Sequence, residues 1–279
     1  MPDTADLIRR SKTGAGVNAP GADPRLWIAT AGKGGAGKSV LTGTLARVLA
    51  RRGHRVLAID SDTMPGLSQS LGVAEPDTCV LLGAAEKPEG GRWRLRPGIG
   101  PARVVSHFTT AAPDGVRLLQ LGKADKDGLA QVAGSVNAFL EVVYRINEAR
   151  SLRKWAIVGD LPAGPRHPGA GFSAYARLYV VAVEPTGQSA LTARRISRLA
   201  REHLGADVLL VASKIADAEG RRRVERLLGE PVDLEIPSDP AVVQAERRGV
   251  AVIDAAPDSA VVRAVERLAD EVQVRTLGP

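Results

Sequence analysis

The stretch Gly32-Lys33-Gly34-Gly35-Ala36-Gly37-Lys38-Ser39 fits the spacing G-x-x-x-x-G-K-[ST], and the chemistry that spacing serves is the holding of a nucleotide's phosphates. Glycines let successive backbone N–H groups turn inward, and the helix that follows adds the positive end of its dipole. In such a loop Lys38 bridges the β- and γ-phosphates and the Ser39 hydroxyl ligates Mg²⁺, with Val40 next in the first helical turn. A second lysine, Lys33, stands at the outer lip, where its side chain need not fold back on its own phosphates. Asp60 and Asp62 in AIDSD, and Asp160 in AIVGD, stand at the end of apolar runs or just beyond one. A carboxylate so placed can hold a metal's water shell or orient an attacking water, the latter worth about 10²–10⁴ in rate.

For this loop to work, a strand must precede it and a helix must follow. Short Val/Ile/Leu/Ala-rich runs do alternate with helical stretches, which predicts an α/β fold: a three-layer, doubly wound, mostly parallel sheet of seven or eight strands, covered on both faces. The expected strands lie at 25–31, 55–60, 116–121, 154–159, 177–183, 207–212 and 232–236. The first helix is expected from Lys38 to Arg52, with Val40, Leu41, Leu45, Val48 and Leu49 on one face and Gly53 as its stop. A second is expected over 129–150, with Val132, Val136, Phe139, Leu140, Val143 and Ile146 as its stripe, and others near 189–204, 219–228, 239–248 and 258–274. Residues 1–24 read as a flexible polar arm, and 25–279 as one domain. The least regular part is 73–115, rich in Gly and Pro with Trp93 between two arginines, and it reads as an irregular insert, either a partner contact or a disordered segment.

Composition excludes several classes. A 279-residue chain with 44% hydrophobic and 25% charged residues is ordinary for a globular protein,. No apolar run approaches the roughly 20 residues that span a bilayer, and the N-terminus lacks an apolar segment of signal-peptide length, so a cytoplasmic location without membrane attachment is expected. The single cysteine, Cys79, excludes an intramolecular disulfide and any multi-cysteine metal site within one chain,. The four histidines show no zinc-hydrolase spacing,. The net charge of +7 is compatible with nucleic-acid or acidic partners,.

With Lys33 ahead of Lys38, KGGAGKS resembles the loop of the deviant Walker A ATPases, the MinD/ParA-type P-loop group. That group includes septum-site and plasmid-partition ATPases, nitrogenase iron protein, and the maturation ATPases of carbon monoxide dehydrogenase. The resemblance implies an ATP- and Mg²⁺-dependent homodimer that sandwiches nucleotide, with Lys33 reaching the partner's phosphates. A cation supplied in this way is worth about 10³–10⁵ in rate in the arginine-finger analogue. AIDSDTMPGLSQSLG (58–72) is similar to the family's first switch: Asp62 takes the water-orienting role and Asp60 supports the Mg²⁺ shell. Proline usually follows the second aspartate directly; here Thr63 and Met64 precede Pro65. AIVGDLPAG (156–164) is similar to the second switch, which implies that Asp160 reaches Mg²⁺ through water and the Gly164 amide senses the γ-phosphate. VVAVEPTGQSALTARRI (180–196) resembles the carbon monoxide dehydrogenase maturation (CooC-like) ATPases more than the partition ATPases.

The resemblance has gaps. Metal-handling members carry a Cys-x-Cys pair, whereas the stretch 118–140 here has no cysteine. The asparagine that often precedes lysine after the late strand is Ser213; with Lys214, Pro237 and Asp239 it makes up the expected base pocket. Three functions remain open: an ATP-driven switch acting on a client metalloenzyme or cofactor enzyme, a partition or positioning ATPase holding DNA through clusters such as 221–227, and a nucleotide-dependent scaffold.

Overall fold

The computed structural model describes residues 25–63, 66–74, 80–122 and 129–278, with only the backbone of 129–132. The arm at 1–24, Met64, Pro65, Cys79 and the side chain of Val132 therefore lie outside the described residues. In chain order the elements are β1 (Trp27–Gly32), α1 (Lys38–Arg51), β2 (Val56–Asp60), α2 (Leu67–Leu71), β3 (Ala85–Glu86), β4 (Arg94–Leu95), α3 (Pro101–His107), β5 (Thr110–Ala111) and β6 (Arg117–Gln120). Then come α4 (Leu129–Arg145), β7 (Ala156–Asp160), α5 (Arg166–Gly169), β8 (Leu178–Val183), α6 (Gly187–Arg198), β9 (Asp207–Ile215), α7 (Ala218–Leu228), β10 (Leu234–Pro237), α8 (Pro240–Arg247), α9 (Val252–Ala255) and α10 (Ala260–Leu277).

Among the described residues eight strands form one sheet in the order β10-β9-β8-β1-β7-β2-β6-β5, and β3 pairs with β4 in a separate two-stranded ribbon. Every pairing in the large sheet is parallel except β5 with β6 at the edge. The central strands are apolar throughout because both faces are covered. Trp27, Ala29, Leu57, Ile59, Ile157 and Val181 face α4, α6 and α7, while Ile28, Ala58, Val158, Val180 and Val211 face α1, α2 and α8 to α10. The three-layer expectation holds, with eight strands, and among the described residues no helix is long and apolar enough to cross a membrane.

The segment read as an irregular insert is built differently from that expectation. Its described part, 80–115, contains a 3₁₀ turn at Val80–Ala84, the β3–β4 ribbon, α3 and the edge strand β5. Leu81, Ala84, Leu95, Val104 and Val105 are buried in the same core as Phe139 and Val142 of α4. Glycine and proline mark its turns, and the apolar residues between them anchor it. The helix expected over 129–150 stops at Arg145 and gives way to 3₁₀ turns, and the one over 189–204 ends in a π-helical turn at Leu199–Leu204.

The layer on the α1 side is clamped by one buried cation. Arg47, almost fully buried, donates Nε–H to Asp114 at 2.7 Å and Nη2–H to Asp254 at 2.8 Å, while Arg51 reaches Asp114 at 3.0 Å. Asp114 has φ 59°, a left-handed conformation that Asn also tolerates,. Burial pushes the Asp114 carboxyl up, but the hydrogen bond and charge of Arg47, joined by Arg51, outweigh it and hold the group below its ordinary 3.8. A carboxyl with a depressed folded pKa contributes stability that is present above the unfolded value and is lost as pH falls through the folded one. Asp114→Asn is therefore expected to lower stability at pH 7 by about 1–3 kcal/mol. Denaturant unfolding of the two proteins should converge as pH drops below 3.8.

Candidate nucleotide site

The site lies at the C-terminal ends of β1, β7 and β2, where an open parallel sheet leaves a crevice. Gly32 ends β1 with φ 153°, and a Cβ there would stand 2.6 Å from the Ala182 carbonyl oxygen of β8. Glycine alone lets the chain turn out of the sheet at that point. Gly35 and Gly37 also adopt positive φ, 83° and 81°. Gly37 is the N-cap of α1 yet offers no side-chain cap, and the first turn of α1 carries no acidic residue. The positive end of that helix is thus left for an anion. Ala36 is fully buried and donates its amide to Lys33 O at 3.3 Å, while Gly34 and Gly35 are exposed. Lys38 Nζ donates to Lys33 O at 3.3 Å, which keeps its ammonium inside the loop, and Lys33 is half-buried at the rim.

Pairing of β1 with β7 and of β7 with β2 brings the two switch carboxylates together. Asp60 and Asp160 are register partners in adjacent strands, 0% and 4% exposed. Ser39 hydrogen-bonds Asp160, whose Oδ1 is buried without a hydrogen-bond partner among the described residues. Burial, then the neighbouring Asp60 charge, pushes the Asp160 carboxyl up to about 7, with Ser39 and Lys38 opposing. Burial likewise pushes Asp60 up to about 6, opposed by the amides of Asp62 and Leu67. Those amides donate to Asp60 at 3.1 Å each. Asp60 therefore pins both ends of the loop that carries Asp62, in addition to standing where an ion's shell would lie.

Asp62 and Thr63 are half-exposed on this loop, and a Cβ on Gly66 would lie 3.3 Å from Ser39 Oγ, so the first switch closes onto the phosphate loop. On the other side Gly164, with φ 88°, donates its amide to Gly32 O at 3.0 Å. Sensing a γ-phosphate through that amide requires this bond to open. Ala163 Cβ sits 3.6 Å from where a Gly34 Cβ would be, so the second switch touches the lip of the loop as well.

The side chains of the expected base pocket have partners within the fold. Ser213, 2% exposed, donates its hydroxyl to Ala36 O at 2.8 Å, and so braces the phosphate loop from below. Lys214 takes φ 58° and forms an ion pair with Glu184 at 3.4 Å, tying β9 to the Glu-Pro-Thr turn after β8. In that turn Thr186 caps α6 by accepting from Ser189 N. Asp239 spends both carboxylate oxygens on backbone amides, those of Ala241 at 2.9 Å and Val261 at 3.1 Å, capping α8 and holding α10. Pro237 is half-buried at the end of β10.

The donor set suits a hard divalent cation, being a hydroxyl and a carboxylate with one unpaired buried oxygen. Among the described residues no group of three His, Cys, Asp or Glu could hold a metal; Mg²⁺ would complete its shell with water and phosphate oxygens.

A glycine loop at an uncapped helix, two switch aspartates in register and a doubly wound sheet define a P-loop nucleotide-binding protein. Residues 27–253 match the CobQ/CobB/MinD/ParA nucleotide binding domain, and the chain belongs to that family. It is 30% identical over 247 residues to the carbon monoxide dehydrogenase accessory protein CooC of Rhodospirillum rubrum, covering 82% of this chain and 90% of that protein. Solved structures share the fold, two of them MinD proteins. The cell division ATPase MinD of Pyrococcus furiosus has a TM-score of 0.65 and 23% identity, covering 90% of this chain and 98% of that one. The septum site-determining protein MinD of Pyrococcus horikoshii, complexed with Mg-ADP, has a TM-score of 0.65 and 21% identity over 88% and 94%.

Asp160→Asn removes a carboxyl that burial and Asp60 disfavour in its charged form. At pH 8 it is expected to raise the thermal midpoint measured without ligand and to weaken Mg²⁺-dependent ADP binding by about tenfold or more. Calorimetry with and without Mg²⁺ checks both halves.

Proposed function

We propose that the protein is a Mg²⁺-dependent ATPase working as a switch: it binds ATP, closes as a nucleotide-sandwiched homodimer and acts on a client protein in the maturation or activation of a metallo- or cofactor-dependent enzyme. The observation that carries this reading is the division of labour between the two lysines. Lys38 lies inside its own loop, held by Lys33 O, whereas Lys33 sits at a rim flanked by exposed Gly34 and Gly35, open to a second copy.

In this reading the amides of Gly34 to Val40 cradle the phosphates, and Lys38 neutralises the β- and γ-oxygens. Ser39 and Asp160 hold Mg²⁺, which when bound offsets phosphate charge. Asp62 orients a water toward the γ-phosphorus; the bond from that phosphorus to the bridging oxygen breaks, ADP departs, and the water's proton passes to phosphate. Lys33 of the partner subunit stabilises the charge that spreads over the transferred group. Gly164 reports the γ-phosphate by leaving Gly32 O. A single unit over 25–279 and a cytoplasmic location go with this reading.

The client class rests on the likeness to CooC, named as an accessory protein of carbon monoxide dehydrogenase. The stretch 118–140 has no cysteine, so a thiolate relay for soft metals there is not part of the proposal.

A second reading, non-specific DNA retention, has one observation for it and one against. On α7, Arg221, Arg222 and Arg226 are engaged by Glu219, Glu225 and Glu235, and Arg201 by Glu230, which leaves exposed Arg223 of that cluster outside these ion pairs. Arg194, Arg195 and Arg198 on α6 are exposed. ATP-dependent retention on DNA, falling by about 0.9 in log–log slope per phosphate contacted, would favour this reading, and none would remove it.

For the leading reading, turnover per molecule is expected to rise with protein concentration, and Lys33→Ala to lose about 10³-fold in rate with ATP binding retained. A rate per molecule independent of concentration and unchanged in Lys33→Ala would refute the dimer mechanism. Asp62→Asn, which should bind Mg·ATP without turning it over, is the bait for the client. A metalloenzyme or cofactor enzyme recovered only with ATP supports the maturation role, whereas recovery of DNA with an adaptor protein shifts the assignment to partition.

A further inference from the structure

Register extends the row of polar side chains by one strand at each end. Thr30 pairs with Asp160, Asp160 with Asp60, and Asp60 with Gln120 of β6. Register partners in parallel strands present their side chains to the same face, so all four point toward the layer of α1 and α2. Gln120 is 9% exposed, and both its Nε2 and Oε1 are buried without a hydrogen-bond partner among the described residues. A buried carboxamide with neither atom paired costs stability, and an apolar side chain of similar volume would fill the same space without that cost.

What stands beside it gives the amide a use. Asp60 accepts from the amides of Asp62 and Leu67, the two ends of the first switch. If Asp60 moves toward a bound ion, one of those amides is released into a buried setting. The adjoining strand β6 offers one other polar side chain, Arg117, at its far end. Gln120 supplies a donor and an acceptor together, and can receive the freed N–H or donate to the carboxylate.

We propose that Gln120 is a positioning residue of the first switch: it takes up the hydrogen bond that Asp60 gives up when its carboxylate turns toward Mg²⁺ and nucleotide. This rests on the nucleotide reading above and adds to it a residue on a third strand. It acts through Asp60, and so sets how much Mg²⁺ the site needs.

The test compares full-length wild type, Gln120→Met and Gln120→Asn by thermal unfolding, without ligand and with Mg·ADP, and by the Mg²⁺ concentration that half-saturates ATP turnover. Gln120→Met is expected to unfold at or above the wild-type temperature without ligand, yet to gain less from Mg·ADP and to need about tenfold more Mg²⁺. Gln120→Asn, which keeps a carboxamide, should fall between. A Gln120→Met protein that is less stable or unfolded without ligand, alongside a Gln120→Asn protein with the wild-type Mg·ADP gain and Mg²⁺ requirement, would make Gln120 a structural residue and overturn the proposal. A wild type with no Mg·ADP gain would overturn the nucleotide reading and this inference with it.

Discussion

Two carboxylates, Asp60 and Asp160, face the same way from adjacent strands with almost no access to water. Like charges that close, both desolvated, disfavour ionisation, and the surrounding structure is arranged around that cost. Ser39 and Lys38 oppose it from the phosphate loop, and the amides of Asp62 and Leu67 oppose it from the first switch. The same groups that lower the cost are those a nucleotide and its cation would engage, so the chemistry of the site and the closure of its loops are one problem. The α1 side must then be firm enough to hold the arrangement, and Arg47, bridging Asp114 and Asp254, ties α1 to the segment before β6 and to α9.

The phosphate loop is held from three directions. Gly32 can leave the sheet because nothing larger clears Ala182; Ser213 pins Ala36 from β9; and the Gly164 amide rests on Gly32 O. Two of these ties are fixed parts of the sheet, and the third belongs to the second switch. The fixed ties keep the amide cradle in shape, and the bond from Gly164 joins the loop after β7 to it. Lys33, half-buried at the rim, lies outside all three.

Much of this was legible in the sequence because the carriers are local. Apolar runs separated by helical periodicity gave the strand positions to within a few residues, and the glycine spacing with Lys38 and Ser39 located the loop. What stayed hidden depends on neighbours distant along the chain. VRLLQL reads as one more strand, and only the pairing of β6 with β2 places Gln120 beside Asp60. Ser213 lies near the end of β9, and only the strand order sets its hydroxyl beneath Ala36. The second bond of Asp239, from the Val261 amide, depends on the packing of α10. In 80–115, glycine and proline conceal the fact that Leu81, Leu95 and Val104 pack against α4, because a core formed across 50 residues of chain leaves no local period.

The central claim is that Lys33 works across a dimer, and mixing two defective proteins tests it most directly. Lys33→Ala keeps Asp62 but lacks the lysine it would lend; Asp62→Asn keeps Lys33 but cannot orient water. In a mixed dimer, the site of the Lys33→Ala subunit has its own Asp62 and receives Lys33 from the Asp62→Asn partner. The account predicts ATP turnover in the mixture well above the sum of the two proteins assayed apart, rising with total protein concentration. Turnover equal to that sum at every concentration would contradict it.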